Sequence, residues 1–396
     1  MLSRLGRGHG WALGALAIFV LFVFVAGCSL ASAQSDFYSA SVAELVGPPG
    51  TLIRTQPMSG APLDAAAYRI LYRSTGLKGE RIAVSGVAII PSGATAERRI
   101  VAWAHPTTGI VPHCAPSLAR LFFQQVQGLQ EMVRRGYIVV ATDYPGLGTS
   151  SPHPYLVGTS EGRAVLDSLR AARYLAGNSA GSRVALWGHS QGGQAVLFAA
   201  RLARSYAPEL HLVGVAAAAP ATELGVLMRN NFTTPGGKNL LAITLWSWSR
   251  VFGAPIDQVV DPAAMPTVNK LANFCLGSSV DIQPRRAAEQ TLQQRFLEVS
   301  DVTDVEPWRT LLAENTVGAL PPAIPVFLAQ GTNDDTVSPP VTRDYMRRLC
   351  VAGSKVRLLM LQGANHAWIA RDAAGAAIDW IAQRFSGAAA PSDCSR

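Results

Sequence analysis

The pentapeptide Gly188-His189-Ser190-Gln191-Gly192, followed by Gly193, carries the strongest chemical signal in the chain. A serine in this setting performs covalent chemistry when a strand delivers it to a sharp turn and a helix leaves from that turn, because the strained backbone exposes the hydroxyl. The flanks fit: Val184-Ala185-Leu186-Trp187 reads as a buried strand, and Ala195, Val196, Ala199, Ala200 and Ala203 give the following helix a small apolar face. A serine hydroxyl is a weak nucleophile, so it needs a general base, and the base needs an acid to orient it. In such folds the order along the chain is Ser, acid, His. Of the seven histidines only His366 follows the last expected strand, in the loop Gln362-Gly363-Ala364-Asn365-His366. The acid belongs to the turn Gly331-Thr332-Asn333-Asp334-Asp335-Thr336-Val337, where Asp334 has the expected spacing and Asp335 is the alternative.

A tetrahedral intermediate also needs donors aimed at its developing oxyanion. One is the backbone N–H of Gln191, directly after the serine. The other is expected from Trp103-Ala104-His105-Pro106-Thr107-Thr108-Gly109. Proline has no N–H to give, so the expectation falls on Thr107, through its backbone and its hydroxyl; an ordinary turn is the competing account of this segment. The chemistry calls for no cofactor. No metal site is expected, since the histidines lack paired ligand spacing and there is no Cys-x-x-Cys pair. A phosphate-cradling Gly-rich Lys-Ser/Thr loop is missing too.

These residues need a frame that holds them. Tyr68–Ser74 and Arg81–Ile90 read as an antiparallel hairpin around Gly76 and Gly79. Short apolar runs follow at Arg99–Ala104, Tyr137–Thr142, Arg183–Trp187, Leu212–Ala217, Pro325–Ala329 and Lys355–Leu361, as in parallel strands covered on both faces. Helical segments alternate with them: Leu118–Arg134, Glu161–Leu175, Gln191–Tyr206, Val341–Val351 and Ala374–Phe385. Such alternation predicts a doubly wound sheet. With the serine turn, it predicts an α/β-hydrolase fold: a mostly parallel central sheet with helices on both faces and an inserted helical cap. The cap is expected at 225–318, because the gap before Pro325 is too long for a simple crossover. The catalytic domain then comprises 67–224 and 319–396, after an extended arm at 28–66. Within the cap, Leu241, Leu245, Trp248 and Phe252 share one helical face beside Trp246, which either packs on the main domain or acts as a lid over substrate.

With 396 residues, 49% hydrophobic and 15% charged, the chain has ample core and apolar surface to spare, and it cannot be disordered. The net charge of +8 is scattered without long Lys or Arg runs, so nucleic acid is not an expected partner, although a basic surface suits anionic membranes. Arg4 and Arg7 precede an apolar run from Trp11 to Ala26, the pattern of an export signal. Val25-Ala26-Gly27-Cys28 resembles a lipobox, which predicts cleavage after residue 27 and a lipid on Cys28 at the cell envelope; cleavage after Ala33 predicts a freely secreted or periplasmic protein. Either cut leaves Cys114, Cys275, Cys350 and Cys394, an even set that in an oxidising compartment predicts two disulfides with three possible connectivities.

The segments Gly136-Tyr137-Ile138-Val139-Val140-Ala141-Thr142-Asp143-Tyr144-Pro145-Gly146-Leu147-Gly148 and Gly188-His189-Ser190-Gln191-Gly192-Gly193 resemble those of the secretory lipase family. Its members are secreted fungal and bacterial α/β-hydrolases acting on triacylglycerols and other esters. Supporting stretches are His105-Pro106-Thr107-Thr108-Gly109, Cys114-Ala115-Pro116-Ser117, His153-Pro154-Tyr155-Leu156, Ser160-Glu161-Gly162-Arg163 and Gly331-Thr332-Asn333-Asp334. The resemblance spans about residue 68 to 385 and implies a Ser190, Asp334, His366 triad and a cap between the sixth and seventh expected strands. It also implies a disulfide from the loop after the third strand to that cap, Cys114–Cys275, with Cys350–Cys394 as the accompanying pair.

The expected function is therefore an exported serine hydrolase of carboxylic esters, lipase or esterase, with a small-molecule or lipid ester as its partner and no protein partner implied. A serine peptidase or amidase on the same frame is the alternative, since a triad does not itself distinguish esters from amides. A binding protein on an inactive hydrolase scaffold is the third reading, which the complete set of Ser190, Asp334 and His366 argues against.

Overall fold

A computed structural model describes residues 37–394 except 63, 94–96 and 151. The expected export segment and the expected lipidation site Cys28 lie outside the described residues. Nine strands form one sheet in the order β1-β2-β3-β5-β4-β6-β7-β8-β9. They are β1 (Leu52–Met58), β2 (Ala65–Thr75), β3 (Arg81–Pro91), β4 (Arg98–Ala104), β5 (Ile138–Thr142), β6 (Ala180–His189), β7 (His211–Ala218), β8 (Val326–Gly331) and β9 (Val356–Leu361). The pairs from β1 through β3 to β5 are antiparallel, and those from β5 through β4 to β9 are parallel.

Successive side chains of a strand point to opposite faces, so the parallel strands feed two cores. Ile100, Ala102 and Ala104 of β4 enter one core, with Leu169 of α3 (Gly158–Ala176), Val196 of α4 (Gln191–Tyr206) and Leu349 of α10 (Pro339–Val351). Val101 and Trp103 enter the other, with Met132 of α2 (Leu129–Arg134) and Ile378 of α11 (Ile369–Phe385). β5 and β8 are buried along their whole length. That two-sided burial is why these strands read as unbroken apolar runs rather than alternating ones.

Two expectations need revision. The helix expected over Leu118–Arg134 is broken into α1 (Phe122–Gln125) and α2. Val126 is extended and Gly128 is left-handed, with φ 81°, and a Cβ there would come within 3.0 Å of Ile378 in α11. Close approach to α11 thus overrides an acceptable helical pattern. The segment read as an arm contains β1, which pairs with β2, so the long insertion falls between the seventh and eighth strands of the sheet.

That insertion holds α5 (Leu224–Asn231), α6 (Pro235–Val251), α7 (Met265–Ala272), α8 (Ile282–Gln294) and α9 (Trp308–Glu314). α6 starts where Pro235 presets the helical φ and Thr234 Oγ1 accepts the Gly237 N–H at 3.0 Å. Its face packs inward: Leu241, Leu245 and Trp248 are buried, while Phe252 is 39% exposed. Trp248 is tied to the main body, its Nε1 donating to Tyr155 O at 2.8 Å. Trp246 instead donates to Asn269 Oδ1 at 3.0 Å, with the Arg250 guanidinium 3.5 Å from its ring centre. Among the described residues no helix is long and apolar enough to cross a membrane.

Candidate active site

Ser190 lies between the end of β6 and the start of α4 with φ 57° and ψ −117°, a conformation that strains a non-glycine residue by about 1–3 kcal/mol. The surroundings hold it there: its N–H donates to Ala218 O at 3.0 Å, and its carbonyl accepts the N–H of Gln194 at 3.0 Å and of Ala221 at 3.2 Å. The neighbouring glycines allow the close approach this turn demands. A Cβ on Gly192 would lie 2.0 Å from Ala104 O, and one on Gly188 2.2 Å from Gly192 O.

The turns after β8 and β9 are laced together, and this brings their polar residues beside Ser190. Asn333 N–H donates to Ala364 O at 3.0 Å and Gly363 N–H to Thr332 Oγ1 at 2.8 Å. His366 then bridges: Nε2 is 2.8 Å from Ser190 Oγ and Nδ1 is 2.8 Å from Asp334 Oδ2. Since Nδ1 faces a carboxylate acceptor it carries the ring proton, leaving Nε2 to accept from the Ser190 hydroxyl. Asp334 is buried and fully engaged, Oδ1 accepting from Thr336 N at 3.0 Å and Val337 N at 2.8 Å, and Oδ2 also from Gln330 Nε2 at 3.2 Å. Asp335 is exposed and does not contact the imidazole; its partner is Thr336 Oγ1 at 3.5 Å. The His189 ring lies tilted beside His366 with ring centres 5.0 Å apart, and burial holds its pKa well below the usual imidazole range. No competing positive charge therefore arises there.

Thr107 and Gln191 both line a cavity of about 700 Å³ that opens onto Ser190 and His366. The cavity wall is mixed: Leu224, Leu227 and Met228 of α5 and Leu240 and Leu241 of α6 give it an apolar side, while Asn231, Asn239, Arg285, Glu289 and Asp335 add polar and charged groups. Trp246 and Trp248, singled out in the sequence, are not among its lining residues. Thr107 Oγ1 is 2.9 Å from Tyr155 Oη, and the Tyr144 hydroxyl donates to His105 O at 3.1 Å, so two buried phenols brace the turn. Burial pushes the His105 imidazole down to about 4, which keeps it neutral behind that turn.

Cys114 and Cys275 are joined, as are Cys350 and Cys394. The first bond ties the loop after β4 to the insertion, beside the Leu276 N–H that donates to Thr108 O at 2.8 Å. His113 lies close to Cys114 and Cys275, a grouping of metal-ligand types, but the two sulfurs are disulfide-bonded and offer no thiolate. Sequence reasoning gave Tyr155, Leu156 and Glu161 no role, yet the first two line the cavity and Glu161 hydrogen-bonds to the Gln191 side chain. The available signal was Glu161 itself, an acid in the first turn of α3 that reads equally well as an ordinary helix-start carboxylate.

Lipase 10 of Candida albicans is 26% identical over 413 residues, covering 96% of this chain and 88% of that protein. A probable inactive lipase of Mycobacterium tuberculosis is 23% identical over 361 residues, covering 86% of this chain and 79% of its own. Among solved structures, Candida antarctica lipase A superposes with a TM-score of 0.76 at 20% identity, covering 91% of this chain and 87% of that one, and it shares the α/β-hydrolase fold. The sequence profile of the family described as Secretory lipase matches residues 124–393, a span holding Ser190, Asp334 and His366 alike. By that match the chain belongs to the secretory lipase family.

Proposed function

We propose that this protein is an exported serine hydrolase that cleaves carboxylic esters through an acyl-enzyme. The observation that carries this reading is the relay from Ser190 Oγ through His366 to Asp334, with both hydrogen bonds 2.8 Å long, where Ser190 and His366 line a cavity with an apolar side. His366 Nε2 takes the Ser190 proton as Oγ bonds to the ester carbonyl carbon. Asp334 holds the imidazolium, and the N–H groups of Gln191 and Thr107 receive the oxyanion. Collapse breaks the bond to the alcohol oxygen, which leaves with the proton from His366. A water, deprotonated by the same imidazole, then attacks the acyl-serine, and breakdown releases the carboxylic acid and regenerates Ser190.

The apolar side of the cavity, from Leu224, Leu227, Met228, Leu240 and Leu241, supports the acyl-ester reading, since it can take up an acyl chain. The engaged state of every triad atom favours turnover over a binding role. Hydrolysis of p-nitrophenyl esters from acetate to palmitate, with an amide alongside and Ser190→Ala as control, tests the reading. Ester turnover lost in the variant is expected. An amide cleaved in preference to every ester would move the assignment to an amidase, and no turnover by folded protein would leave a binder.

For the address, we propose lipidation at Cys28 after cleavage behind residue 27, on the strength of Val25-Ala26-Gly27-Cys28. A globomycin-sensitive mobility shift lost in Cys28→Ser is the expected result. A mature N-terminus at Gln34 would replace the anchor with free secretion.

A further inference from the structure

The stretches His153-Pro154-Tyr155-Leu156 and Ser160-Glu161-Gly162-Arg163 have no part in the steps above, yet they converge directly behind Gln191. Glu161 is completely buried at the start of α3. Its Oε1 accepts the Leu156 N–H at 3.0 Å and the Gln191 side-chain Nε2–H at 2.8 Å. The other hydrogen of that amide points to His153 Nε2 at 3.2 Å, and His153 Nδ1 lies 2.7 Å from Pro145 O. One assignment of protons satisfies each of these contacts, although Gln191 Oε1 stays buried without a partner. His153 donates from Nδ1 to Pro145 and accepts at Nε2 from Gln191, which donates its second hydrogen to Glu161.

Leu156 is the second observation. It lines the substrate cavity with φ 57°, a backbone conformation that a leucine adopts only under constraint. Its N–H is held by Glu161 and its carbonyl by Gln194 Nε2 at 3.3 Å. A single carboxyl oxygen thus fixes both a strained segment of cavity wall and the residue whose backbone follows the nucleophile.

We propose that Glu161, as a neutral carboxylic acid, is a positioning residue for ester hydrolysis that sets the Gln191 oxyanion donor and the Leu156 wall together. The inference rests on the function proposed above. Glu161 Oε2 is buried without a hydrogen-bond partner, which suits a protonated oxygen far better than a bare charge. Among the described residues no charged group acts on it to favour ionisation: its ionisable neighbours are the buried phenols of Tyr144 and Tyr155 and, across Gln191, the His153 imidazole with His105 behind it. Burial pushes the Glu161 carboxyl up to about 8 and the His153 imidazole down to about 3, so both are neutral at pH 7. Above about pH 8 Glu161 ionises and places a buried negative charge behind the site where the oxyanion must form. The sign is therefore a loss of turnover on the alkaline side.

The test compares wild type, Glu161→Gln and Glu161→Ala in p-nitrophenyl butyrate hydrolysis from pH 6 to 10, with the pre-steady-state burst of p-nitrophenol recorded alongside. At pH 7, Glu161→Ala is expected to lower kcat by about tenfold with little change in KM, less than the roughly 10²–10³-fold cost of deleting an oxyanion donor outright. Glu161→Gln, which keeps the accepting oxygen, should restore kcat to within about threefold of wild type and remove the alkaline decline. Superimposed pH profiles for wild type and Glu161→Gln would overturn the proposal even if Glu161→Ala fails to fold. So would an unchanged kcat in Glu161→Ala. A wild type with neither burst nor turnover at any pH would instead sink the ester-hydrolase reading on which this one stands.

Discussion

Ser190 Oγ and His366 Nε2 stand 2.8 Å apart although 176 residues separate them in the chain. Asp334 Oδ2, 2.8 Å from the far ring nitrogen, fixes the tautomer that makes this contact useful. Asp334→Asn leaves the volume in place but inverts that hydrogen bond, so kcat should fall by about 10³–10⁴-fold. Asp335→Asn, one residue on and exposed, should cost less than about tenfold. Steady-state kinetics of the two variants with one p-nitrophenyl ester measures the difference, and equal losses would count against the assigned acid.

Thr107 divides into two contributions that substitution can separate. Thr107→Val removes the hydroxyl bonded to Tyr155 but keeps the backbone N–H, and should retain kcat within about tenfold. Thr107→Pro removes the N–H and should cost roughly 10²–10³-fold, the price of an oxyanion donor. A larger loss in the valine variant would make the hydroxyl, not the backbone, the working group.

The two disulfides predict different phenotypes. Cys114–Cys275 closes a separation of 161 residues and Cys350–Cys394 one of 44. By loop entropy these constrain the unfolded chain by about 5 and about 4 kcal/mol, as upper values. Replacing either pair with alanine should lower Tm. Only loss of the first pair should also lower ester turnover, because that bond lies beside the link from Leu276 to Thr108, next to the proposed oxyanion donor Thr107. Calorimetry and kinetics on both double variants read these effects separately.

The face of α6 splits in its consequences. Trp248 is fully buried and anchored to Tyr155 O, so Trp248→Ala should destabilise by about 3–5 kcal/mol and depress short-chain and long-chain ester turnover alike. Leu241 lines the cavity, and Leu241→Trp should shift preference toward shorter acyl chains without a comparable loss on acetate esters. Denaturant unfolding together with a chain-length series checks both.

Much of this was legible in the sequence because the relevant signals are local. The strand runs, the turn at Ser190 and the loop at His366 each follow from a few consecutive residues. Asp334 against Asp335 stays open in the sequence because adjacent residues on one turn differ only in where the backbone points them; in the structure Asp334 faces His366 and Asp335 pairs with Thr336. β1 was missed because its pattern is partly exposed and Pro57 interrupts it, as an edge strand permits. The break at Gly128 and the cluster around Glu161 depend on contacts with distant elements, α11 in one case and the start of α4 in the other, which no window of sequence displays.

The central claim is that Ser190 is a nucleophile made reactive by His366. Its most direct test is covalent capture by a fluorophosphonate, followed by intact-mass and peptide analysis of wild type, Ser190→Ala and His366→Ala. One adduct per chain, on the peptide containing Ser190, absent from Ser190→Ala and slowed by at least about 10³-fold in His366→Ala, is the predicted result. An adduct on another residue, or labelling of Ser190 at an unchanged rate without His366, would contradict it.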